Sequence, residues 1–540
     1  MRVTTLSSFA IALALGATAF VHAAAKPDPV LDAPPAGLVP STAHVAAILS
    51  KHDAAAGNAA KTFVEDWAFS DTGRSGTEHL VQSGTDYHST IANASGTEQF
   101  GQLDGKRWHQ DLSGYTTPST DTDESSFQAI RITEDAADPK NDVSLAGQTT
   151  GDHPAYVLKV APSGEHHPEW LFFDAQTYRV VRVERVSGTH RLVTTFDDFR
   201  TVDGITQPWH MHDAYWTSEL DDDWKVTSFH GGVAIKPGEF AAPANPVKAG
   251  VAERTKLPST FTYATVILRM TVNGRGLDFE LDPSVRYSYI DYDVARSLDL
   301  PDFGQTTRLR NGDRIPYDTR IADADIGPIH LHDFPVYATD VSWKPRDDVR
   351  VVGTLGYDFL ASNVIHVDFV HDLVEVFPTA MMAPAPAKPI AGALDIPMQF
   401  DNGSLLVPMA LGDGFTEHVM FDPAEPWTMV FGGYLNAHPS SFVSNDLKRN
   451  HDFVPFADGA SYGKVIDTWL TETPVAAFAN LNYQNLAMIA TNYTYGSRDI
   501  DAIIGYDYLH YYDTYYDYPH DRLLLVPNAW FFKAAKPDAK

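Results

Sequence analysis

The chain contains no cysteine. That excludes disulfides, thiol nucleophiles and cysteine-ligated zinc or iron–sulfur centres, so stability must rest on burial and hydrogen bonding. Positive charge is also scarce: 40 Lys and Arg stand against 70 Asp and Glu, a net charge of −30. Such a balance opposes binding to nucleic acid and to anionic membrane surfaces. Beyond the N-terminal stretch, no run approaches the roughly 20 apolar residues of a spanning helix, so stable membrane insertion is not expected. Glycine-rich phosphate loops, dinucleotide fingerprints and a Gly-x-Ser-x-Gly elbow are all missing, and no cofactor is called for.

What is there is material for packed β structure. The 540 residues are 44% apolar and 12% aromatic, enough for several cores. Thr, Val, Tyr and Phe occur in short runs broken by Gly, Pro, Asn and Asp, which predicts a mainly β chain. Met1–Ala23 reads as an export signal: Arg2, an apolar stretch from Phe9 to Phe20, then Val21-His22-Ala23 as a small-residue cleavage site. The expectation is a periplasmic or secreted protein. Pro-rich linkers at 24–40, 236–259 and 379–395 divide the rest into modules at 41–235, 260–378 and 396–532, with a tail at 533–540.

In the first module, Ser41 or Thr42 is expected to cap a helix carrying Val45, Ile48 and Leu49 on one face. A hairpin is predicted over His167–Val186, turning at Asp174-Ala175-Gln176-Thr177. Helix, hairpin, Leu103-Asp104-Gly105-Lys106-Arg107-Trp108 and the Phe196–Ile205 segment together resemble the LolA-like half-barrels of bacterial envelopes. The resemblance implies a curved antiparallel sheet that either holds an apolar ligand on its concave face or serves as a scaffold.

The next two modules repeat an order of parts. Phe279-Glu280-Leu281-Asp282 and Val419-Met420-Phe421-Asp422 each end in an aspartate followed by proline. Gly353-Thr354-Leu355-Gly356-Tyr357-Asp358-Phe359-Leu360 is echoed by Ala502-Ile503-Ile504-Gly505-Tyr506-Asp507-Tyr508-Leu509. Gly356 follows Asp282 by 74 residues and Gly505 follows Asp422 by 83. A duplicated lobe brings two carboxylates to one place.

These paired motifs resemble the two-lobed retropepsin-like and pepsin-like aspartic proteases, bacterial members especially, over roughly residues 260–530. The resemblance implies two β-rich lobes with a cleft between them, a peptide or protein ligand in that cleft, and Asp282 and Asp422 as a catalytic pair sharing one proton. The family's Asp-Thr-Gly has become Asp282-Pro283-Ser284 and Asp422-Pro423-Ala424. Proline offers neither hydroxyl nor N–H, and Ser and Ala add a side chain where the family has none. The expectation is therefore a weakened or silent site that binds a peptide or other ligand; the alternative is an active endopeptidase. Thr307–Ile326 occupies the interval of the family's flap, with Asn311-Gly312-Asp313 as the turn and Tyr317 as an aromatic facing the cleft; the alternative is an ordinary surface hairpin.

His210-Met211-His212 and His330-Leu331-His332 each set two imidazoles on one strand face, with Asp213 and Asp333 as neighbouring acids. No third ligand at diagnostic spacing is evident, so a metal is not predicted. Glu165-His166-His167 reads as a solvated turn, and the aromatics of His510–Tyr516 as core and edge of a sheet.

Overall fold

The computed structural model describes residues 32–534 except 58–61, 72, 120–135, 137–140, 162–167, 188–189, 216–217, 219, 247–250, 305–315, 342–348, 382–391, 402, 445–449, 454–464, 479–480 and 492–499. The export signal, the flap turn at 311–313 and the Glu165-His166-His167 turn lie outside the described residues. Among the described residues no helix is long and apolar enough to cross a membrane.

The N-terminal part is a 13-stranded antiparallel sheet. Its strands alternate buried with partly or fully exposed residues, as in Phe63–Asp71 and Asp222–Gly231, so one face is apolar. That face packs with the helix Val45–Ala56 through Ile48 and with the hairpin Arg200–Gln207 through Ile205, in one cluster holding Trp67, Phe69, Leu80, Phe173 and Trp224. The predicted hairpin is present as strands Glu169–Asp174 and Val180–Ser187. Asp174 Oδ1 closes its turn by accepting from the N–H groups of Gln176 (3.1 Å) and Thr177 (2.7 Å). The helix cap differs from expectation. The helix starts after His44 with no side-chain cap, and Ser41 instead accepts from Ala43 N–H in a local turn.

Each lobe has the same strand plan. Lobe 1 contains β1 (Thr265–Val272), β2 (Arg275–Leu281), β3 (Tyr289–Asp291), β4 (Tyr317–Ile326), β5 (Ile329–Thr339) and β6 (Val351–Leu355). After the connecting hairpin β7 (Val364–Asp368) and β8 (Leu373–Phe377), lobe 2 contains β9 (Ser404–Leu411), β10 (Gly414–Phe421), β11 (Met429–Val430), β12 (Val465–Phe478), β13 (Leu481–Thr491) and β14 (Ala502–Ile504). The chain closes with β15 (Tyr512–Asp517) and β16 (Arg522–Pro527).

Lobe 1 runs β1-β2-β6-β3-β5-β4, with β4 returning to pair β1; lobe 2 runs β9-β10-β14-β11-β13-β12, with β12 returning to pair β9. The decisive pairings are parallel ones. β2 lies parallel to β6 and β10 parallel to β14, so the ends of each pair stand side by side. Those ends lead into Asp282 beside Gly356, and Asp422 beside Gly505. The lobes are joined by a six-stranded sheet in which β7 pairs antiparallel with β15. A single apolar core runs from Leu281 in lobe 1 through Tyr516 in the shared sheet to Phe421 in lobe 2.

Two segments expected as linkers carry structure. Thr255–Lys256 pairs with β8, Leu257 is fully buried, and Phe240 and Asn245 accept hydrogen bonds from Trp108 and Thr116 of the N-terminal sheet. Leu394–Pro397 adds an edge strand against β16.

Candidate active site

Asp282 and Asp422 occupy equivalent places. Each extends its parallel ladder by one bond: Asp282 N–H donates to Leu355 O (3.0 Å), and Asp422 N–H to Ile504 O (3.1 Å). Each carboxylate then accepts from the backbone two residues on. Ser284 N–H reaches Asp282 Oδ1 at 2.9 Å, and Ala424 N–H reaches Asp422 Oδ1 at 2.9 Å. Proline at the intervening position is compatible with this turn because the turn needs no donor there.

The two carboxyls feel each other. Burial, then the Asp282 charge, then Glu425 push the Asp422 carboxyl well above the usual carboxylate range. Tyr516, beneath them in the shared sheet, has its phenol raised by burial and by both aspartates. Asp282 and Asp422 are both buried, at 4% and 9% exposure. Burial and the neighbouring charge thus both favour the protonated form of the Asp422 carboxyl.

The loops behind the aspartates are also duplicated. Six residues after each aspartate stands a hydroxyl, Ser288 or Thr428. Ser288 donates its N–H (2.8 Å) and Oγ–H (2.5 Å) to Asp358 and accepts from Gly356 N–H (3.1 Å). Thr428 donates its N–H (2.9 Å) and Oγ1–H (2.7 Å) to Asp507 and accepts from Gly505 N–H (3.0 Å). A further pair of bonds matches: Tyr357 N–H to Val285 O (2.9 Å), and Tyr506 N–H to Glu425 O (2.8 Å). These hydroxyl–carboxylate anchors were missed in the sequence. The signal was present as the same six-residue offset in both copies together with the repeated Gly-Tyr-Asp. A Cβ on Gly356 would lie 2.6 Å from Val285 O, and one on Gly505 2.6 Å from Trp427 O, so both glycines are required by close backbone approach.

Other bonds are not duplicated. Ser284 Oγ–H donates to Asp282 Oδ1 (2.6 Å), where Ala424 has no hydroxyl. Across the lobe boundary, Leu405 N–H donates to Pro283 O (3.2 Å) and Ser404 Oγ–H to Ser284 O (2.6 Å). The lobe-1 loop is also held by the N-terminal sheet. Arg286 Nη2 donates to His109 Nε2 (2.7 Å) and Tyr287 OH to Glu98 (3.1 Å). Guanidinium has no acceptor, so His109 Nε2 presents its lone pair. His109 stacks on Phe100 at 4.2 Å. Beside this contact Asp111 is buried facing Asp358, and burial followed by that charge pushes its carboxyl up to about 8.

Tyr317 is placed differently from expectation. It is buried in the lobe-1 core and stacks on Tyr292 at 5.8 Å. Its strand β4 pairs with the following β5, turning at Gly327, and its far half buries Ala324 and Ile326 on one face. The histidine pairs meet acids other than those expected. His210 contacts Asp197 (2.8 Å) and Asp223 (2.5 Å), whereas Asp213 is buried and bound by Thr194. His330 and His332 meet Asp325 and Asp323, whereas Asp333 pairs with Arg320. Tyr512 and Tyr516 are buried in the core.

A model of the aspartyl protease family matches residues 268–359, a span holding Asp282, Ser288 and Asp358. No protein of curated function matches the chain. Among solved structures the chain is similar to a LolA superfamily protein from Nitrosomonas europaea, at 12% identity and TM-score 0.31 over 37% of this chain and 98% of that one. It is similar to an aspartic proteinase from Irpex lacteus, at 10% identity and TM-score 0.32 over 52% of this chain and 100% of that one. It is also similar to basic 7S globulin from soybean, at 8% identity and TM-score 0.32 over 53% and 97%. The chain is thus similar to the aspartyl protease family over residues 268–359, around its first aspartate loop.

Proposed function

We propose that the two lobes bind a peptide at the Asp282–Asp422 pair and hydrolyse it slowly, in an exported protein. The observation carrying this reading is the buried carboxyl pair, in which burial and then the Asp282 charge push the Asp422 carboxyl upward. One carboxylate can then take a proton from water while the other carboxyl donates to the peptide oxygen. Backbone donors from Ser284 and Ala424 support the geometry despite proline in both loops. The rate is expected to be low. The family's paired threonine hydroxyls are absent, and the ties across the boundary come from Ser404 and Leu405 on one side alone among the described contacts.

The test is cleavage of a denatured-protein or peptide library from acidic to neutral pH. Aspartate-dependent products that vanish in Asp282→Asn and Asp422→Asn support hydrolysis. Peptide retention without any such product would leave a binding protein, a reading favoured by the prolines at 283 and 423. Absence of both would remove the proposal.

For the N-terminal sheet, the reading is a mount for the lobe-1 loop, supported by Arg286–His109 and Tyr287–Glu98. An apolar ligand on its apolar face would have to displace the helix Val45–Ala56, whose Ile48 is buried there. Mass spectrometry of lipid extracted from the purified chain separates the two: a stoichiometric lipid would replace the mount with a carrier.

A further inference from the structure

The hairpin β4–β5 carries two histidines and two aspartates on its exposed face. Its register sets Asp323 opposite His332 and Asp325 opposite His330. All four are exposed, while Ala324 between the aspartates is buried. Strand alternation therefore points the four side chains the same way. His332 Nδ1 lies 3.0 Å from Asp323 Oδ1, and His330 Nδ1 lies 2.9 Å from Asp325 Oδ1. The diagonal closes too, with His330 Nε2 3.5 Å from Asp323 Oδ1. The ligand atoms of Asp323, His330 and His332 all lie within 4.8 Å of one another.

Those spacings are close to what a small cation requires. Donors held about 2.0–2.2 Å from one metal stand at most about 4.4 Å apart, so modest side-chain rotations complete the set. The backbone beneath is well fixed. β4 is paired on both sides, to β5 along its length and to β1 at Thr271↔Asp325. The far end is tied by Arg320, which pairs with Asp333 (2.9 Å) and donates through Nε to Ser95 O (3.0 Å) in the N-terminal sheet. Two imidazoles with carboxylates favour Zn²⁺, Cu²⁺ or Ni²⁺ over the oxygen-seeking Ca²⁺ and Mg²⁺. The other histidine pair also faces one acid, Asp223, but His210 spreads its two nitrogens between Asp197 and Asp223, Lys225 stands 3.8 Å from Asp223, and among the described residues only Asp323, His330 and His332 meet this spacing.

We propose that Asp323, Asp325, His330 and His332 form a binding site for a divalent cation of the zinc class on the outer face of lobe 1. The site is separate from the aspartate pair and does not depend on hydrolysis.

The experiment is calorimetric titration of the untagged full chain with Zn²⁺ alone, in a non-coordinating buffer at neutral pH. One site per chain is expected. His330→Ala and His332→Ala should each weaken it at least about tenfold, and Asp323→Asn should weaken it similarly. The double variant His210→Ala/His212→Ala should leave it unchanged. All these residues are exposed or half-buried, so thermal melts of the variants should stay close to wild type. Failure of the wild type to bind would overturn the proposal. So would binding that survives both His330→Ala and His332→Ala, or binding lost in the His210→Ala/His212→Ala variant.

Discussion

The two aspartate loops share one wiring diagram and sit in different surroundings. In both, the aspartate N–H continues a parallel ladder, the N–H two residues on returns to the carboxylate, and a hydroxyl six residues on anchors to the Gly-Tyr-Asp carboxylate. The lobe-1 loop has in addition the Ser284 hydroxyl, the bonds from Ser404 and Leu405, and the grip of Arg286 and Tyr287 on the N-terminal sheet. The lobe-2 loop carries Glu425 and an exposed Trp427 instead. Matching backbone bonds hold the pair; the neighbours of each member differ. The comparison teaches that the aspartate geometry belongs to the duplicated strands, and the asymmetry belongs to what is packed around them.

The strongest way to break the equivalence is to remove the anchors. Asp358→Ala leaves Ser288 N–H and Oγ without their carboxylate inside the core, and both residues are fully buried. A loss of about 3 kcal/mol is expected, from unsatisfied buried donors to a charged partner. Asp507→Ala should cost less, about 1–2 kcal/mol, because Asp507 is partly exposed and water can replace it. Denaturant melts of both variants measure the difference; equal losses would mean the loops are anchored alike.

Next in size is Gly403→Ala. Gly403 has φ +80°, and an added Cβ would lie 2.8 Å from Arg286 Cγ. Strain at positive φ and contact with the Arg286 stem are together expected to cost about 1–3 kcal/mol, and to loosen lobe 2 from the lobe-1 loop. A melt combined with the same substitution in Arg286→Ala sharpens it: the shorter side chain should restore part of the loss.

Asp111 offers a test by pH. Its folded carboxyl is pushed up to about 8 from an ordinary 3.8. The folded state then binds more protons than the unfolded state between those values. Stability from this group is full below about pH 4 and falls as pH rises towards 8. Asp111→Asn keeps an oxygen to accept from Ser113 (2.8 Å) and Tyr115 (3.0 Å) without the charge. It should stabilise the chain increasingly as pH rises from about 4 towards 8, and by nothing at pH 4. A gain that does not depend on pH would mean the carboxyl is not the cause.

The smallest expected effect sharpens the asymmetry itself. Ala424→Ser gives Asp422 the hydroxyl that Ser284 gives Asp282. A donor to the charged form should lower the Asp422 carboxyl from its raised position. Carbon-13 NMR titration of the aspartate carboxyls reads the shift; an unmoved carboxyl would assign the asymmetry to burial alone.

Much of the fold was legible because it is periodic and repeated. Alternating residues in Val266–Met270 and the turn at Asn273-Gly274 specify the β1–β2 hairpin, and the Asp174 turn was readable for the same local reason. Tyr317 was not legible: its strand alternation fits either face, and packing on Tyr292 settles it. The roles of Asp358 and Asp507 were hidden because a carboxylate's partner 70 or 79 residues away is not a pattern in one copy. Arg286 and His109, 177 residues apart, meet because the N-terminal sheet is seated against lobe 1, and no local period encodes that.

By itself the sequence determined that the chain lacks covalent staples, that it is acidic and mainly β, and that it carries two copies of one lobe with an aspartate in each. Those properties follow from composition, alternation and repetition, which are local. The tertiary structure alone decided that the two buried carboxyls feel each other, that burial and the Asp282 charge raise the Asp422 carboxyl, and that a third module grips the lobe-1 loop. Burial and proximity set these outcomes, and both arise only when residues far apart in the chain are brought into one low-dielectric place.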